Sequence, residues 1–267
     1  MITDIPEAPS ALRFIPIPRL AAGGRWRVEA MRSLSEPLLL WFTRGQGRIT
    51  VAGTTRGYGA HNAVFIPAGT MHGFEVAPHT FGTAVFFGRN CDVTLPATPQ
   101  HLRIRDATPQ MELNAILDNV KAELDSNRPA HDRATHHHLG LLGVWLERQT
   151  ELAGDDATRP DASRRLAARY AGLLERDFRT GLGVAGYAAA LGVTPTHLTR
   201  VCKHTSGRSA LELLQERLLF EARKLLLETK LPVKRVSESL GFTSAAYFTR
   251  SFQQRTGQTP TAFRRSP

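Results

Sequence analysis

The chain predicts an α+β, two-domain protein, with a small β-barrel and a helical hairpin followed by an all-α domain that carries two helix-turn-helix units. Three observations predict it. Short strand-like runs divided by Gly, Pro and Asn fill residues 20–95; helical apolar spacing takes over from residue 109; and one helix-turn-helix pattern occurs twice, at 184–203 and 233–253, offset by 49 residues. The expected division is 1–108 for the barrel, 109–153 for the hairpin, 154–162 for a linker and 163–267 for the C-terminal domain.

In the barrel, Trp26 to Glu29, Leu38 to Thr43, Gly47 to Ala52, Ala63 to Ile66 and Thr83 to Phe87 are the expected strands, each a short apolar run bounded by turn residues. A small barrel holds at most one small molecule. Strand alternation nominates Arg27, Trp41, Phe42, Arg44, His72, Phe74 and Phe86 as pocket residues. The aromatic rings would hold an apolar body. Arg27 or Arg44, if inward, would grip a carboxylate with two parallel hydrogen bonds; if outward, they are ordinary solvated charges.

In the hairpin, Leu113, Ile116, Leu117, Val120 and Leu124 form one apolar stripe, and Leu139, Leu142, Leu146, Val144 and Trp145 form another, divided by Asn127-Arg128-Pro129. The stripes fit a dimer seam and packing on the barrel equally well. His136, His137 and His138 point in successive directions around a helix, so they read as a solvated helix start rather than a metal site. The run Gly154 to Pro160 has linker composition.

Each helix-turn-helix unit needs a small residue where its helices touch and a residue tolerant of positive φ at the corner. Ala188 and Ser237 supply the first, Gly192 and Gly241 the second. Val184, Tyr187, Leu191, Val193, Leu198 and Val201 would close one miniature core; Val233, Val236, Leu240, Phe242, Phe248 and Phe252 would close the other. Left outward on the second helices are Thr196, His197, Thr199, Arg200 and Lys203 in one unit, and Ser244, Ala245, Ala246, Thr249, Arg250 and Gln253 in the other. Guanidinium, hydroxyl and methyl groups suit base edges and thymine methyls in a major groove. Between the units, Leu211, Leu214, Leu218, Ala222, Leu225 and Leu226 recur at helical spacing, which predicts a connecting helix over 209–228.

Charge divides along the same boundary. From Ser163 onward there are 18 Lys and Arg against 7 Asp and Glu, a net of +11, whereas residues 1–162 hold 16 against 17, a net of −1. A basic surface confined to the helix-turn-helix half fits phosphate neutralisation and salt-sensitive binding to double-stranded DNA. The N-terminal stretch is acidic and broken by proline, and the longest apolar run, Leu38 to Phe42, is too short for a bilayer. The expectation is therefore a cytoplasmic protein without membrane contact. Cys91 and Cys202 lie in different domains and read as inert thiols.

The stretch from Leu240 to Arg265 resembles the DNA-binding domain of the AraC family of bacterial transcription regulators. Gly241-Phe242 stands at the corner, Phe248-Thr249-Arg250 and Phe252 lie on the second helix, and Gly257-Gln258-Thr259-Pro260 and Phe263-Arg264 follow. The resemblance covers about 100 residues and implies base contacts from Thr196, Thr199 and Arg200 in the first unit and from Ala246, Thr249 and Arg250 in the second. Ala245 and Ala246 stand where many relatives carry polar residues, which implies a readout that leans on methyl contacts or is weaker. It also implies a small-molecule effector, RNA polymerase as a partner, transcriptional activation, and a homodimer formed through the hairpin.

Residues 44–76 resemble a cupin, with a turn at Gly53, a strand at Val64-Phe65-Ile66 and Pro67-Ala68-Gly69 three residues ahead of His72. The resemblance implies a cupin-like effector-binding barrel. Metal-bearing cupins add a His-x-His pair and a Glu on an earlier strand, but Met31 to Arg44 contains no histidine. His72, even with His61 or His79, does not make the ligand set of a transition metal. Ligand contact, a hydrogen bond or a structural imidazole stay open for His72. No metal, cofactor or catalysis is expected, and the effector is expected to be a small carboxylic or aromatic acid. Three alternatives remain: a metal-independent cupin enzyme joined to a DNA-binding module, a DNA-binding protein that answers to no ligand, and a DNA-repair or architectural protein that binds without sequence preference.

Overall fold

The computed structural model describes residues 11–154 and 161–265; most of the expected linker lies outside them. The N-terminal domain contains β1 (Arg13–Pro16), α1 (Ile17–Leu20), α2 (Trp26–Glu29), β2 (Leu38–Arg44), β3 (Gly47–Val51), β4 (Thr54–Tyr58), β5 (Asn62–Ile66), β6 (His72–Phe74), β7 (Phe81–Phe86) and β8 (Gln100–Arg103). The strands form a five-stranded sheet in the order β1-β7-β2-β5-β8 and a three-stranded sheet in the order β4-β3-β6, antiparallel in every pair. The expected barrel thus takes the form of two facing sheets.

Strand β2 shows why this region reads as an unbroken apolar run. Leu38, Leu40 and Phe42 point between the sheets with Ile49, Tyr58, Val64, Phe74 and Phe86, while Leu39 and Trp41 point to the opposite face. There they meet the hairpin, α3 (Ala107–Leu124) and α4 (His131–Ala153), through Leu113, Leu117, Val120, Leu139, Leu142, Trp145 and Leu146. A strand buried on both faces loses the polar alternation of an exposed sheet. Most of both predicted hairpin stripes is therefore spent on the sheet, but Leu124 and Val144, expected in them, stay exposed, as do Leu141 and Leu152 of α4.

One expected strand is a helix. Residues 26–29 form the single turn α2, in which Glu29 N–H donates to Arg25 O and the side chains of Arg25 and Glu29 pair at 2.7 Å. Four residues are too few to show a period, and the i, i+4 charge pair was the helical signal. Trp26 leaves the sheet domain altogether and lies 5.7 Å from the Phe220 ring.

The C-terminal domain contains α5 (Ala162–Asp177), a 3-10 turn (Phe178–Thr180), α6 (Val184–Ala190), α7 (Pro195–Ser206), α8 (Ala210–Glu228), α9 (Val233–Ser239), α10 (Ala245–Thr256) and α11 (Pro260–Arg265). The predicted units correspond to α6–α7 and α9–α10, and the predicted connector to α8. Ser209 caps α8 and completes a reciprocal capping box with Glu212, which fixes its start.

The domains meet across a dense seam. Met31 and Met71 join the core of the C-terminal domain. The β3–β4 turn seats on α5 and α7: Thr205 Oγ1 donates to Gly53 O at 2.9 Å, Thr55 Oγ1 donates to Ser206 O at 3.1 Å, and Arg208 Nη1 donates to Thr50 Oγ1 at 3.2 Å. Gly53 has φ +74°, and a Cβ there would stand 2.8 Å from Ala167 O.

Candidate nucleic-acid interface and interdomain cleft

Each recognition helix is capped at both ends. Thr194 accepts from His197 N–H and Gly207 closes α7 at φ +73°; Ser244 accepts from Tyr247 N–H and Gly257 closes α10 at φ +75°. Side-chain N-caps and left-handed glycines at the far end satisfy the otherwise unpaired amides and carbonyls, so both helices have defined lengths. One face of each helix is core. Leu198, Val201 and Cys202 are buried on α7 and Phe248 and Phe252 on α10, where Phe242, Phe248, Phe252 and Phe263 form a chain of ring contacts with centroids 5.2–5.9 Å apart.

The opposite face presents the sequence-predicted residues. Thr196, Arg200 and Lys203 are exposed, with His197 and Thr199 half-buried; Ser244, Ala246, Arg250 and Gln253 are exposed, with Ala245 and Thr249 half-buried. Arg200 Nη2 donates to His197 Nδ1 at 3.0 Å, which orients the guanidinium and identifies the imidazole nitrogen as an acceptor. The Ser244 hydroxyl is engaged in its cap.

What holds the two units together was only partly legible in the sequence. Ala188 and Ser237 are fully buried at the helix contacts. Gly192 and Gly241 have φ +71° and +77°. Gly241 has a second duty: a Cβ on it would lie 2.3 Å from Gly181 N and 2.6 Å from Arg179 O, so the corner of the second unit abuts the chain entering the first. Beneath both runs a buried ionic network. Arg217 of α8 donates to both oxygens of Glu175 on α5, at 2.7 and 2.8 Å, and to Glu221 at 2.8 Å; Arg179 donates to the other oxygen of Glu221, and Ser33 of the N-terminal domain donates to Glu175. Burial by itself would lower the Arg217 pKa and raise that of Glu221, but the facing charges reverse both directions. The only sequence signal for this network was the i, i+4 spacing of Arg217 and Glu221 on the inner face of the connector.

The predicted ligand residues are not brought together. Trp41 faces the hairpin, where its indole N–H donates to Asn114, and Arg44 is exposed beside the Phe81 ring. Phe42, Phe74 and Phe86 fill the space between the sheets, with Phe42 stacked on Tyr58 at 4.0 Å. His72 is fully buried, and its Nδ1 is bonded to Thr70 O at 2.9 Å. Burial, followed by the charge of Arg32, drops its pKa to about 3, so the ring is neutral. His61 and His79 do not join it: among the described residues no group of three or more His, Cys, Asp or Glu is placed to hold a metal ion.

Arg27 and Phe86 do share a cavity, of about 630 Å³, but it opens between the two domains. Its apolar wall includes Leu20, Trp26, Leu34, Phe86 and Phe220. Seven basic and four acidic side chains line it, drawn from both domains. One residue that sequence reasoning missed stands out. Arg32 is 6% exposed and donates to Val28 O at 2.6 Å, and its guanidinium lies over the Phe74 ring. No carboxylate among the described residues pairs with it, and burial lowers its pKa to about 10.

Two capped recognition helices joined by one rigid connector, behind a sheet-and-hairpin domain, define a two-domain helix-turn-helix protein. A helix-turn-helix family model matches residues 187–266. The chain is 33% identical over 84 residues to a probable transcription factor, PqrA, of Proteus vulgaris, spanning 32% of this chain and 69% of that protein. It is 27% identical over 127 residues to the arabinose operon regulatory protein of Escherichia coli strain K12, spanning 47% of this chain and 43% of that one. The chain belongs to the AraC family of transcription regulators. Among solved structures it is similar to the C-terminal domain of AraT from Geobacillus stearothermophilus, at 29% identity and TM-score 0.37 over 41% of this chain and 89% of that one. It is also similar to apo ToxT from Vibrio cholerae, at 12% identity and TM-score 0.44 over 97% of this chain and 98% of that one. The match to the arabinose regulator thus spans less than half of that protein's length.

Proposed function

We propose that the chain is a ligand-responsive, sequence-specific DNA-binding regulator of transcription that carries out no catalysis. The observation that carries this is the pair of exposed recognition faces on α7 and α10, held at a fixed relation by α8 and the Arg217 network. Thr196, His197, Thr199, Arg200 and Lys203 read one stretch of major groove, and Ala245, Ala246, Thr249 and Arg250 read the next, in double-stranded promoter DNA. The two arginines serve guanine edges and the alanine pair serves thymine methyls. Action is on RNA polymerase at the promoter, in the cytoplasm, and is activating.

The effector site of this reading is the interdomain cavity rather than the space between the sheets. A buried guanidinium without a carboxylate partner is costly, and an acid supplied from outside would neutralise it. The ligand is a small carboxylic acid with an apolar or aromatic body, its carboxylate at Arg32 and its body against Trp26, Phe86 and Phe220. Because the walls come from both domains, such a ligand favours the docked arrangement by its differential affinity for it. Dimerisation uses the exposed α4 residues Leu141 and Val144.

Selection of bound sites from fragmented genomic DNA tests the reading. The expected result is a recurrent sequence with two blocks about one helical turn apart, and binding without preference would overturn it. For the effector, a panel of aliphatic and aromatic acids should raise the melting temperature of the native chain and not of Arg32→Met. Equal shifts in both would remove the cavity assignment.

A further inference from the structure

A second charged feature lies on the opposite side of the domain seam, where β8, the end of α4, β4 and the start of α5 converge. They enclose an open trough of about 1090 Å³ lined by Arg56, Arg103, Arg105, Arg148 and Arg164, with Asp106 and Glu112 as the facing carboxylates. The first four arginines belong to the N-terminal domain, whose net charge is −1 over residues 1–162. Their clustering is thus local and is not a by-product of a basic domain. Among the described residues, no ion pair to a carboxylate is formed by Arg56, Arg103, Arg105 or Arg148. Asp106 precedes α3 without capping it.

No residue of α7, the first recognition helix, lines the trough, but α5 and β4, which do, pack directly on that helix. Lys203 and His204 stand exposed on α7. His204 is close enough to Asp161, the cap of α5, to act on its carboxyl electrostatically. Arg164 lies in the first turn of α5 and bears on Arg56, which in turn, with Arg103, depresses the pKa of His101 to about 4 after the larger effect of burial. Strand β4, which carries Arg56, is the strand seated on α7 through Thr55. Basic side chains of α5, β4, β8 and α4 therefore gather in the trough, and α5 and β4 are the two of these elements that pack on the first recognition helix.

The geometry points to this trough as a second binding site for the sugar-phosphate backbone of the same DNA, which extends the contact beyond the two recognition helices on the side of the first unit. The inference rests on the DNA-binding reading above. Open, exposed guanidiniums spaced along a groove suit a polymer of phosphates better than they suit one enclosed small anion. The contacts carry no base readout, since arginine on phosphate positions the duplex without reading its sequence. Their second consequence is conformational. Because the arginines sit on the N-terminal domain and the recognition helices on the other, DNA held by both favours the docked arrangement, so the effector and flanking DNA strengthen one another.

The test uses the full chain and a selected site cut to two lengths, a core duplex and the same duplex extended by about one helical turn beyond the block read by the first unit. Affinity is measured over a salt series for the native chain and for the triple variant Arg103→Ala/Arg105→Ala/Arg148→Ala. The native chain should bind the extended duplex about tenfold or more tightly than the core, with a log-log salt slope steeper by about 2–3, corresponding to roughly three further phosphates at about 0.9 each. The triple variant should bind the core like the native chain and lose the gain on extension. Equal affinities of the native chain for both lengths, or an extension gain that survives the triple variant, would overturn the inference. So would calorimetric binding of inorganic triphosphate that the triple variant loses while the extension gives no gain, since the trough would then serve a small phosphorylated anion. Failure of the native chain to prefer the selected core over scrambled duplex is a different result, and would remove the DNA-binding reading itself.

Discussion

The two corner glycines support a comparison in which one substitution controls for the other. Gly192 and Gly241 have nearly the same φ, +71° and +77°, so alanine at either meets the same left-handed penalty of about 1–2 kcal/mol and the same small gain from a stiffer unfolded chain. They differ in what surrounds the new methyl. Nothing lies within 4 Å of a Cβ on Gly192, whereas one on Gly241 would stand 2.3 Å from Gly181 N and 2.6 Å from Arg179 O. Both neighbours are backbone and cannot turn aside, so the loop must shift, at a cost of the order of 1–3 kcal/mol. Gly192→Ala should therefore lose about 1–2 kcal/mol and Gly241→Ala about 2–5 kcal/mol. Urea denaturation followed by far-ultraviolet circular dichroism measures both losses, with unchanged slopes as the sign that the unfolded state is the same. Specific DNA binding by Gly241→Ala should fall further than its stability requires, because the shifted loop carries the angle between the units. Equal losses for the two variants would refute the close approach and with it the rigid coupling of the two recognition helices.

Removing Arg217 as Arg217→Met leaves the half-buried Glu175 without its charge partner and Glu221 with Arg179 alone, and should cost up to about 3–5 kcal/mol; the triple change with Glu175→Gln and Glu221→Gln should recover part of this in the same urea experiment. Arg200→Ala and Arg250→Ala should each lose about 1–3 kcal/mol of preference at particular bases, while Lys203→Ala should weaken specific and random duplex alike, as competition binding across single-base variants of a selected site will show. His72 is held neutral with a pKa near 3, mainly by burial and next by Arg32. In the unfolded chain it titrates near 6.5, so the unfolded state binds the extra proton between these values and stability falls as pH drops through that window. The expected loss is about 1.4 kcal/mol per pH unit below 6.5, and the slope should flatten in His72→Gln; an unchanged slope would mean that the buried imidazole is not the group responsible.

The helix-turn-helix units were legible because their determinants are local. A small residue, a corner glycine and an apolar stripe all fall within about twenty residues of one another, so Ala188, Gly192 and Leu198 announce the fold of their unit without reference to the rest of the chain. The same holds for the connector, where the helical spacing of the leucines gave the span from residue 209 to 228 and the structure adds the Ser209–Glu212 box that starts it. The strands β2, β3, β5 and β7 were legible too, whereas β1, β4, β6 and β8 were not among the expected runs, and the direction of the strand side chains was not legible. Along β2 both faces are buried, so no alternation distinguished Trp41, which meets the hairpin, from Phe42, which meets the opposite sheet. Residues 26–29 were misread as a strand because one turn is shorter than any period.

The sequence by itself determined the two helix-turn-helix units and the helix between them, where the positive charge concentrates and which faces of α7 and α10 stay outside the core. The tertiary structure alone decided how distant segments meet. Arg32 and Glu175 lie 143 positions apart, Gly53 and Thr205 lie 152, and Arg56 and Arg148 lie 92, yet the first pair lines one cavity, the second joins the domains by a hydrogen bond, and the third forms one trough. Such pairings depend on how sheet, hairpin and helices close over their shared cores. That closure is set by packing and desolvation across the whole chain rather than by any spacing along it.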